Sequence, residues 1–422
     1  MAFDAEEFKR RRQQRQAERE KKAKQQRKLR IRLFIAAAAL VLGGILIFVL
    51  VNMRSSQPQN NPPSQSTGDP LSSPQPEQSP TTVIHFAAAG DLNITDAVVA
   101  AGGGSYDYSQ AFLDVAPLLA NADITALNLE GTLVGAPYGS ETASAPTSLL
   151  QALRDAGVDM IQLANSYSIS NGTSGLSATI QNVRDAGLEP LGVYSSNAEF
   201  KSRKGYTLRN VKGVKIAFVS FTKGMDGLAL PAGSEDCVNV LYTDYASTYQ
   251  KVDVDGIKSV LQAVAKEKPD ITIALLHWGS EFNDTISESQ KEICTLMQTN
   301  GVDAIIGTHS HYVQQMVYEP ISGTFVAYSL GDFFGDAARA GSEYSVILDL
   351  EITKDNASGS TRITNYSYTP IFTVAEEEKP LRVVRIDQAI TAYEGEYISR
   401  VNADTYAAMK YALERIEKRV NG

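Results

Sequence analysis

The sequence predicts an α/β domain whose later part is rich in β-strands, preceded by a single transmembrane helix and a disordered linker. Three observations carry this prediction. From residue 82 onward, apolar runs of strand length alternate with stretches whose apolar residues recur at helical spacing. After residue 324 the helical stretches give way to consecutive strand-like runs. Near the N-terminus, the 19 residues 33–51 contain no charged side chain.

This apolar run predicts a membrane-spanning helix, which we place at residues 33–52. Its 19 residues, at about 1.5 Å each, span roughly 28 Å, which is close to the hydrocarbon thickness of a bilayer. A cleaved signal peptide is the alternative, but its apolar region is shorter and ends at a small-residue cleavage site. Val51-Asn52-Met53-Arg54 is no such site, so we expect an uncleaved anchor.

The charges around this run predict the topology of the chain. Residues 1–32 carry 13 basic and 5 acidic side chains, a net charge of +8 in a chain of net charge −9, so the other 390 residues carry −17. Four basic residues lie just before the run and only Arg54 just after it. The positive-inside rule therefore places residues 1–32 in the cytoplasm and the large C-terminal part outside it. The acidic bulk argues against nucleic acid as a partner, because phosphates require a basic surface.

Two further features concern the linker and the cysteines. Residues 53–81 are rich in Ser, Pro and Gln, and cannot bury enough apolar surface to become ordered, so we expect a flexible spacer. Two cysteines, Cys237 and Cys294, are too few for a disulfide framework. We expect two separate buried thiols, although a pair outside the cytoplasm stays open.

The elements of the outer domain, residues 82–395, follow in order. We predict strands at 83–89, 124–129 and 160–164, each followed by a helix, at 110–119, 148–156 and 176–186. Lys212-Gly213 between apolar runs predicts a β-hairpin of residues 206–211 and 214–221. Helices at 255–268 and 291–299 precede strands at 271–276 and 304–306. Antiparallel strands at 325–330, 345–352 and 362–374 follow, and residues 404–419 form a helix within a C-terminal segment, 396–422.

Side chains that bind metals follow four of the predicted strands. They are Asp91, Glu130, His277 and the pair His309 and His311. Functional groups of α/β sheets gather just past the carboxyl ends of strands, so we expect these five to converge. Carboxylates and imidazoles suit a divalent ion such as Mn, Zn or Fe. The fourth histidine, His85, lies in the middle of a predicted strand, and we interpret it as structural.

The order of these segments resembles the capsule-synthesis CapA-like family of poly-gamma-glutamate biosynthesis, which is similar to the calcineurin-like metallophosphatases. The matching segments are Gly90-Asp91, Asn128-Leu129-Glu130, Leu163-Ala164-Asn165, His277-Trp278-Gly279, Gly307-Thr308-His309-Ser310-His311 and Tyr328-Ser329-Leu330-Gly331-Asp332-Phe333. The resemblance implies a four-layer α/β sandwich of metallophosphatase type. It also implies metal ligands Asp91, Glu130, His277, His309 and His311, with Asp91, Glu130 and His311 at one ion and Glu130, His277 and His309 at the other.

One segment departs from the family pattern. Ser166 and Tyr167 stand where the family has a metal-binding Asn and the His that serves as general acid, and Ser170 stands where an Asp is expected. Asp332 replaces the usual Asn. Loss of a positioned acid costs about 10²–10⁴-fold in rate. Tyr167 and Asp91 are the candidate catalytic residues. Tyr167 could donate a proton, although a phenol of pKa about 10 is poorly matched to neutral pH. Asn93 and Asp96 are candidates to replace the lost ligand.

Two functions therefore stay open. The first is a membrane-anchored, extracytoplasmic, metal-dependent hydrolase with a degraded site, which acts on a phosphoester or on an amide-linked polymer. Its role would be in synthesis of a capsule or cell-surface polymer of poly-gamma-glutamate type. The second is a non-catalytic accessory protein that binds the anionic polymer or its synthase. The retained His, Asp and Glu ligands favour the hydrolase, because two divalent ions activate water and stabilise phosphoryl oxygens. The altered segment at Ser166 and Tyr167 favours the accessory protein.

Overall fold

A computed structural model of the chain describes residues 80–337, 339–377, 379–395 and 401–422. The predicted cytoplasmic segment, the membrane helix at 33–52 and the linker up to residue 79 lie outside these residues. Within the described ranges, no helix has the length and apolar character that crossing a membrane requires.

The strands form two mixed sheets. The larger sheet comprises β1 (Thr81–Asn93), β2 (Ile124–Glu130), β3 (Met160–Gln162), β4 (Glu189–Leu191), β11 (Asp332–Phe334), β12 (Tyr344–Asp355), β13 (Thr361–Val374) and β14 (Arg382–Arg385). The smaller comprises β5 (Tyr206–Val211), β6 (Val214–Thr222), β7 (Ile271–His277), β8 (Ala304–Thr308), β9 (Met316–Glu319) and β10 (Thr324–Ala327).

Each sheet contains a parallel set of strands with antiparallel strands beside it. The larger sheet has the order β14-β13-β12-β1-β2-β3-β4, with β11 paired to β1, and the smaller has the order β5-β6-β7-β8-β10-β9. Strands β1 to β4 are parallel, and so are β6, β7, β8 and β10. The carboxyl ends of each parallel set consequently lie at one edge of its sheet.

The helices lie between and after these strands. They are α1 (Asp96–Ala101), α2 (Ala116–Ala120), α3 (Ser148–Asp155), α4 (Gly172–Asp185), α5 (Asn197–Arg203), α6 (Val254–Glu267), α7 (Glu288–Thr299), α8 (Ile386–Glu394) and α9 (Ala403–Asn421), with a short 3-10 helix at Gly103–Ser105.

Three hydrophobic clusters hold the layers together. Alternate residues of a strand point to opposite faces of a sheet, so Phe86 of β1 and Phe218 of β6 meet between the two sheets, with ring centroids 5.6 Å apart. The opposite face of the larger sheet packs on α3 and α4, and that of the smaller sheet packs on α6 and α7. The order of layers is helices, sheet, sheet, helices. The parallel edges of both sheets are thereby available to one site.

Most predicted elements are confirmed, including the hairpin of β5 and β6, whose turn residues Lys212 and Gly213 have φ of +50° and +83°. Two predictions are wrong. The helix predicted at 110–119 is only Ala116–Ala120, because Pro117 is tolerated in a first turn but not inside a helix. The strand predicted at 325–330 ends at Ala327 and pairs parallel to β8, after which the chain crosses to the larger sheet as β11.

The C-terminal segment and the cysteines complete the domain. Helix α9 contributes Met409 and Ile416 to the cluster between the layers, so the segment 396–422 shares the core of the preceding domain as far as it is described. Cys237 and Cys294 are both buried and free, which confirms the expectation of two separate thiols.

Candidate metal centre

The parallel edges of the two sheets bring all five predicted ligands together and add a sixth, Asp332. The ligand atoms of Glu130, His277 and His309 lie within 4.8 Å of one another. The ligand atoms of Asp91, His311 and Asp332 form a second group within the same distance. All six side chains are buried. The first group has the members that we expected. In the second group we expected Glu130 beside Asp91 and His311, and the structure has Asp332 there instead.

The position of Asp332 follows from the pairing of β11 with β1. Asp332 is the register partner of Asp91 in this parallel pair. Gly90 permits the approach, because a Cβ at this position would lie 1.8 Å from the Gly331 carbonyl oxygen. Asp332 Oδ1 then lies 2.8 Å from His311 Nδ1, and Asp91 Oδ2 lies 4.0 Å from the same nitrogen. Besides its place in a segment that resembles the family, the sequence signal for this residue is that Gly331-Asp332 repeats Gly90-Asp91.

Asparagine side chains hold the carboxylates in place. Asn128 Nδ2 donates to Asp91 Oδ1 at 2.7 Å and to Glu130 Oε1 at 3.3 Å, so its amide lies between the two acids. Asn165 Nδ2 in turn donates to Asn128 Oδ1 at 3.0 Å. These contacts separate Glu130 from the Asp91 group and orient both carboxylates before any ion binds.

The histidines extend from β7 and from the loop after β8. His277 Nδ1 lies 3.2 Å from Thr308 Oγ1 and 3.3 Å from Glu130 Oε1, and its ring centroid lies 4.4 Å from that of His309. The His309 backbone N–H donates to Asp91 Oδ2 at 2.9 Å. His309 and His311 have φ of +88° and +59°. Such left-handed residues cost about 1–3 kcal/mol and cluster at functional sites.

The electrostatics of the centre are those of a buried excess of negative charge. Burial raises the pKa of Asp91, Glu130 and Asp332, and the neighbouring carboxylates raise the pKa of the first two further. Burial lowers the pKa of His277 and His309 well below the usual range. Burial also lowers the pKa of His311, but the neighbouring Asp332 carboxylate raises it by more, so the pKa of His311 is raised overall. The lowered pKa values keep the imidazoles of His277 and His309 neutral, which is the state in which a histidine binds a metal.

The donor set fits a divalent cation. Among the described residues, neither ring nitrogen of the buried His309 has a hydrogen-bond partner. Burying such a group without a partner is costly, and a metal ion would satisfy it. Three carboxylates and three imidazoles are the ligands that Zn, Mn and Fe share.

The altered segment lies directly against these ligands. Ser166 Oγ is 3.1 Å from His277 Nε2, so the residue that replaces the expected Asn still contacts a candidate ligand. Tyr167 lies at the rim with 38% of its surface exposed. Its partial burial and the Glu130 and Glu281 carboxylates raise the pKa of Tyr167 to about 12. A phenol that holds its proton this firmly is a poor acid at neutral pH.

The other candidates from the sequence differ in position. Asp96 Oδ1 accepts from the Ser140 backbone N–H at 2.9 Å, on the exposed loop outside both ligand groups. Asn93 donates to Asp332, although its buried Oδ1 has no partner within the described chain. His85 pairs with Asp349 at 2.9 Å, in the middle of β1 and outside both ligand groups.

Two rim residues have no signal in the sequence. The Phe282 ring stacks on His311, with centroids 4.8 Å apart and an interplanar angle of 23°. Lys223, at the end of β6, donates its backbone N–H to the His277 carbonyl oxygen at 2.7 Å. Phenylalanine and lysine are not typical metal ligands, so the sequence does not indicate that these two residues lie near the centre.

Comparison with solved structures finds phosphatases and phosphoesterases. The calcineurin-like phosphoesterase YfkN from Bacillus subtilis is 14% identical, with a TM-score of 0.42 over 80% of this chain and 98% of that one. A novel phosphatase from Mycoplasma pneumoniae is 15% identical, with a TM-score of 0.42 over 69% of this chain and 94% of that one.

Curated relatives are closer in sequence. The capsule biosynthesis protein CapA of Bacillus anthracis is 26% identical over 262 residues, 60% of each chain. The PGA biosynthesis protein CapA of Bacillus subtilis (strain 168) is 26% identical over 215 residues, 51% of this chain and 52% of the relative. The chain therefore spans between about half and 60% of the length of these relatives.

A family model matches residues 85–337, more than half of the chain, and this range contains all six residues of the two ligand groups. On that match, the chain belongs to the family of the bacterial capsule synthesis protein PGA_cap.

Proposed function

We propose that the protein is a membrane-anchored, extracytoplasmic hydrolase that depends on a divalent metal and acts in capsule or poly-gamma-glutamate-type polymer synthesis. One observation supports the hydrolase: two buried ligand groups lie together where the parallel strands of both sheets end, and within the described residues neither ring nitrogen of His309 has a hydrogen-bond partner. The polymer rests on the names of the CapA relatives. The membrane anchor rests on the apolar run at 33–51 and its basic flank.

The layer order and the site support a metallophosphatase-like sandwich as the finer description of the fold. Glu130, His277 and His309 would hold one ion, and Asp91, His311 and Asp332 the other. A divalent ion supplies Lewis-acid stabilisation of charge on the substrate and activates water. The chain itself orients Asp91 through Asn128, fixes the His311 ring through Asp332, and keeps the ligands out of bulk water.

A second candidate is a non-catalytic accessory protein that binds the anionic polymer or its synthase. The observation that favours it is the segment at Ser166 and Tyr167. With a pKa of about 12, Tyr167 is poorly matched to protonate a leaving group at neutral pH. Both candidates share the metal centre and differ in turnover.

Metal content tests the shared part. We expect purified wild-type protein to retain up to two divalent ions per chain, one for each ligand group. His309→Gly removes a ligand at a position whose φ of +88° suits glycine, and should lower the content by about one ion. His85→Ala removes a histidine outside both groups and should change nothing. A metal-free wild type, or equal content in the His309 variant, would contradict the proposal.

Turnover separates the two candidates. Activated phosphoesters have leaving groups that need no proton, so a hydrolase without a matched acid should cleave them far faster than unactivated ones. An accessory protein should bind metal and cleave neither. Both substrates can be followed on the preparation whose metal content has been measured, with His309→Gly as the matched inactive variant.

A further inference from the structure

Lys223 lies beside the candidate metal centre and belongs to neither ligand group. It follows β6 at the same edge as His277, and its ammonium donates to the Gly279 carbonyl oxygen at 3.0 Å. The ammonium also lies 4.7 Å from the centroid of the Tyr249 ring. The Lys223 backbone N–H donates to the carbonyl oxygen of His277 at 2.7 Å, so the residue lies directly beside a candidate ligand. The side chain is thus held in place next to the centre.

Among the described residues, the charge of this lysine has no close counter-ion. An ammonium has three N–H donors. One donates to the Gly279 carbonyl oxygen and a second side of the group faces the Tyr249 ring. The Glu281 and Asp226 carboxylates act on Lys223 from a distance, but in the described part of the chain neither forms an ion pair with it. Lys354, which is also half-buried, has Asp270 at 2.8 Å.

A half-buried ammonium without a counter-ion has a cost in free energy, which a bound anion would offset. A charge withdrawn from water without a partner is destabilising. The Gly279 carbonyl oxygen and the Tyr249 ring contact the ammonium and hold the side chain against the protein. An ordered, half-buried ammonium with a donor to spare is suited to a negatively charged ligand that arrives from outside.

We propose that Lys223 binds an oxyanion of the substrate held at the metal centre, so that the site takes substrates with a phosphoryl or carboxylate group next to the reacting bond. The inference rests on the proposed function and narrows its substrate class. Lys223 acts as a fixed positive charge, and it stabilises negative charge on the bound group without taking part as a metal ligand.

The test is anion binding rather than turnover. Inorganic phosphate and glutarate serve as the two probes, titrated by calorimetry into metal-loaded and metal-free full-length protein. Lys223→Met should weaken binding of the preferred anion about 10- to 100-fold, the range for a hydrogen bond to a charged group. Lys223→Arg keeps the positive charge and should lose less affinity than Lys223→Met. Lys251→Met removes an exposed lysine and the same charge, and should bind like wild type.

The outcomes separate this inference from the function on which it rests. Preference for phosphate or for glutarate identifies the oxyanion class. Equal affinity in Lys223→Met and wild type, or binding of neither anion by wild type, overturns the role of Lys223. Loss of metal in Lys223→Met overturns it too, because the residue then assembles the centre. A wild type without metal contradicts the hydrolase, while the metal-free titration still reports on Lys223.

Discussion

At the scale of single residues, Ser166 and Tyr167 offer the most direct test of the proposed hydrolase. Ser166 Oγ already contacts His277 Nε2 at 3.1 Å, and Tyr167 is at the rim with 38% of its surface exposed, so side chains at both positions face the centre or its mouth. Ser166→Asn together with Tyr167→His should supply an amide ligand and an acid whose pKa is near neutral. We expect metal affinity and turnover to rise together, the latter by about 10²–10⁴-fold on unactivated esters.

The matched control is Tyr106→His, which changes a tyrosine of nearly equal exposure, 37% against 38%, outside both ligand groups. Metal titration and hydrolysis are measured on the same preparations. If wild type cleaves an unactivated diester as fast as the restored variant, the site is not degraded. Asp332 would then be the first candidate for the acid, since Asp96 is engaged with Ser140.

His85 offers a test of the electrostatics away from the centre. Its hydrogen bond to Asp349 raises the pKa of His85. The stability from this pair is therefore fully present below the unfolded pKa of about 6.5 and is lost as pH rises through the folded pKa. The free energy of unfolding of wild type should exceed that of His85→Gln by about 0.2–1 kcal/mol at pH 5, which is the range for exposed pairs. At pH 9 the two free energies should be almost equal. Urea unfolding measures this, and a difference that grows with pH would contradict it.

The ligands were predictable from sequence where each follows a long buried strand. Asp91, Glu130 and His277 lie at the ends of β1, β2 and β7, whose apolar runs are unmistakable. Asp332 was noted only as a substitution, because β11 is three residues long and its pairing with β1 depends on a long-range crossover. Lys223 and Phe282 could not be found, since their roles depend on contacts and not on spacing.

At the scale of elements, the β5–β6 hairpin shows which local signals can be trusted. Its two turn residues both have positive φ, the conformation that matches the twist of a two-residue hairpin. Gly213→Ala should cost about 1 kcal/mol, because an added Cβ meets no neighbouring atom but the backbone stays left-handed. Gly104→Ala, where a Cβ is also unobstructed and φ is not positive, should be nearly neutral in chemical denaturation. Equal effects would contradict the turn assignment.

The elements that the sequence missed are short or lie at sheet edges. Strand β4 has three residues and β9 four, too few for periodicity to distinguish a strand from a loop. The direction of β10 could not be predicted because parallel pairing with β8 is a property of the tertiary arrangement. In contrast, α6 and α7 have long apolar stripes and were placed within a few residues.

At the scale of the whole molecule, the topology can be tested directly. The basic residues 1–32 and the uncharged run at 33–51 predict an uncleaved anchor with the large domain outside. Protease added to intact cells should digest the domain from residue 80 onward and leave a short protected N-terminal fragment. Mature protein that begins downstream of Val51 would contradict this prediction, as would full protection of the domain.

Strand β1 has a practical consequence for handling the protein. Ten residue steps separate Thr81 from Asp91 within this strand, which corresponds to roughly 33 Å at 3.3 Å per residue. The chain therefore enters the domain at the sheet edge opposite the ligands. A label or tether attached at Thr81 should therefore lie far from the ligand groups and leave them accessible to molecules in solution.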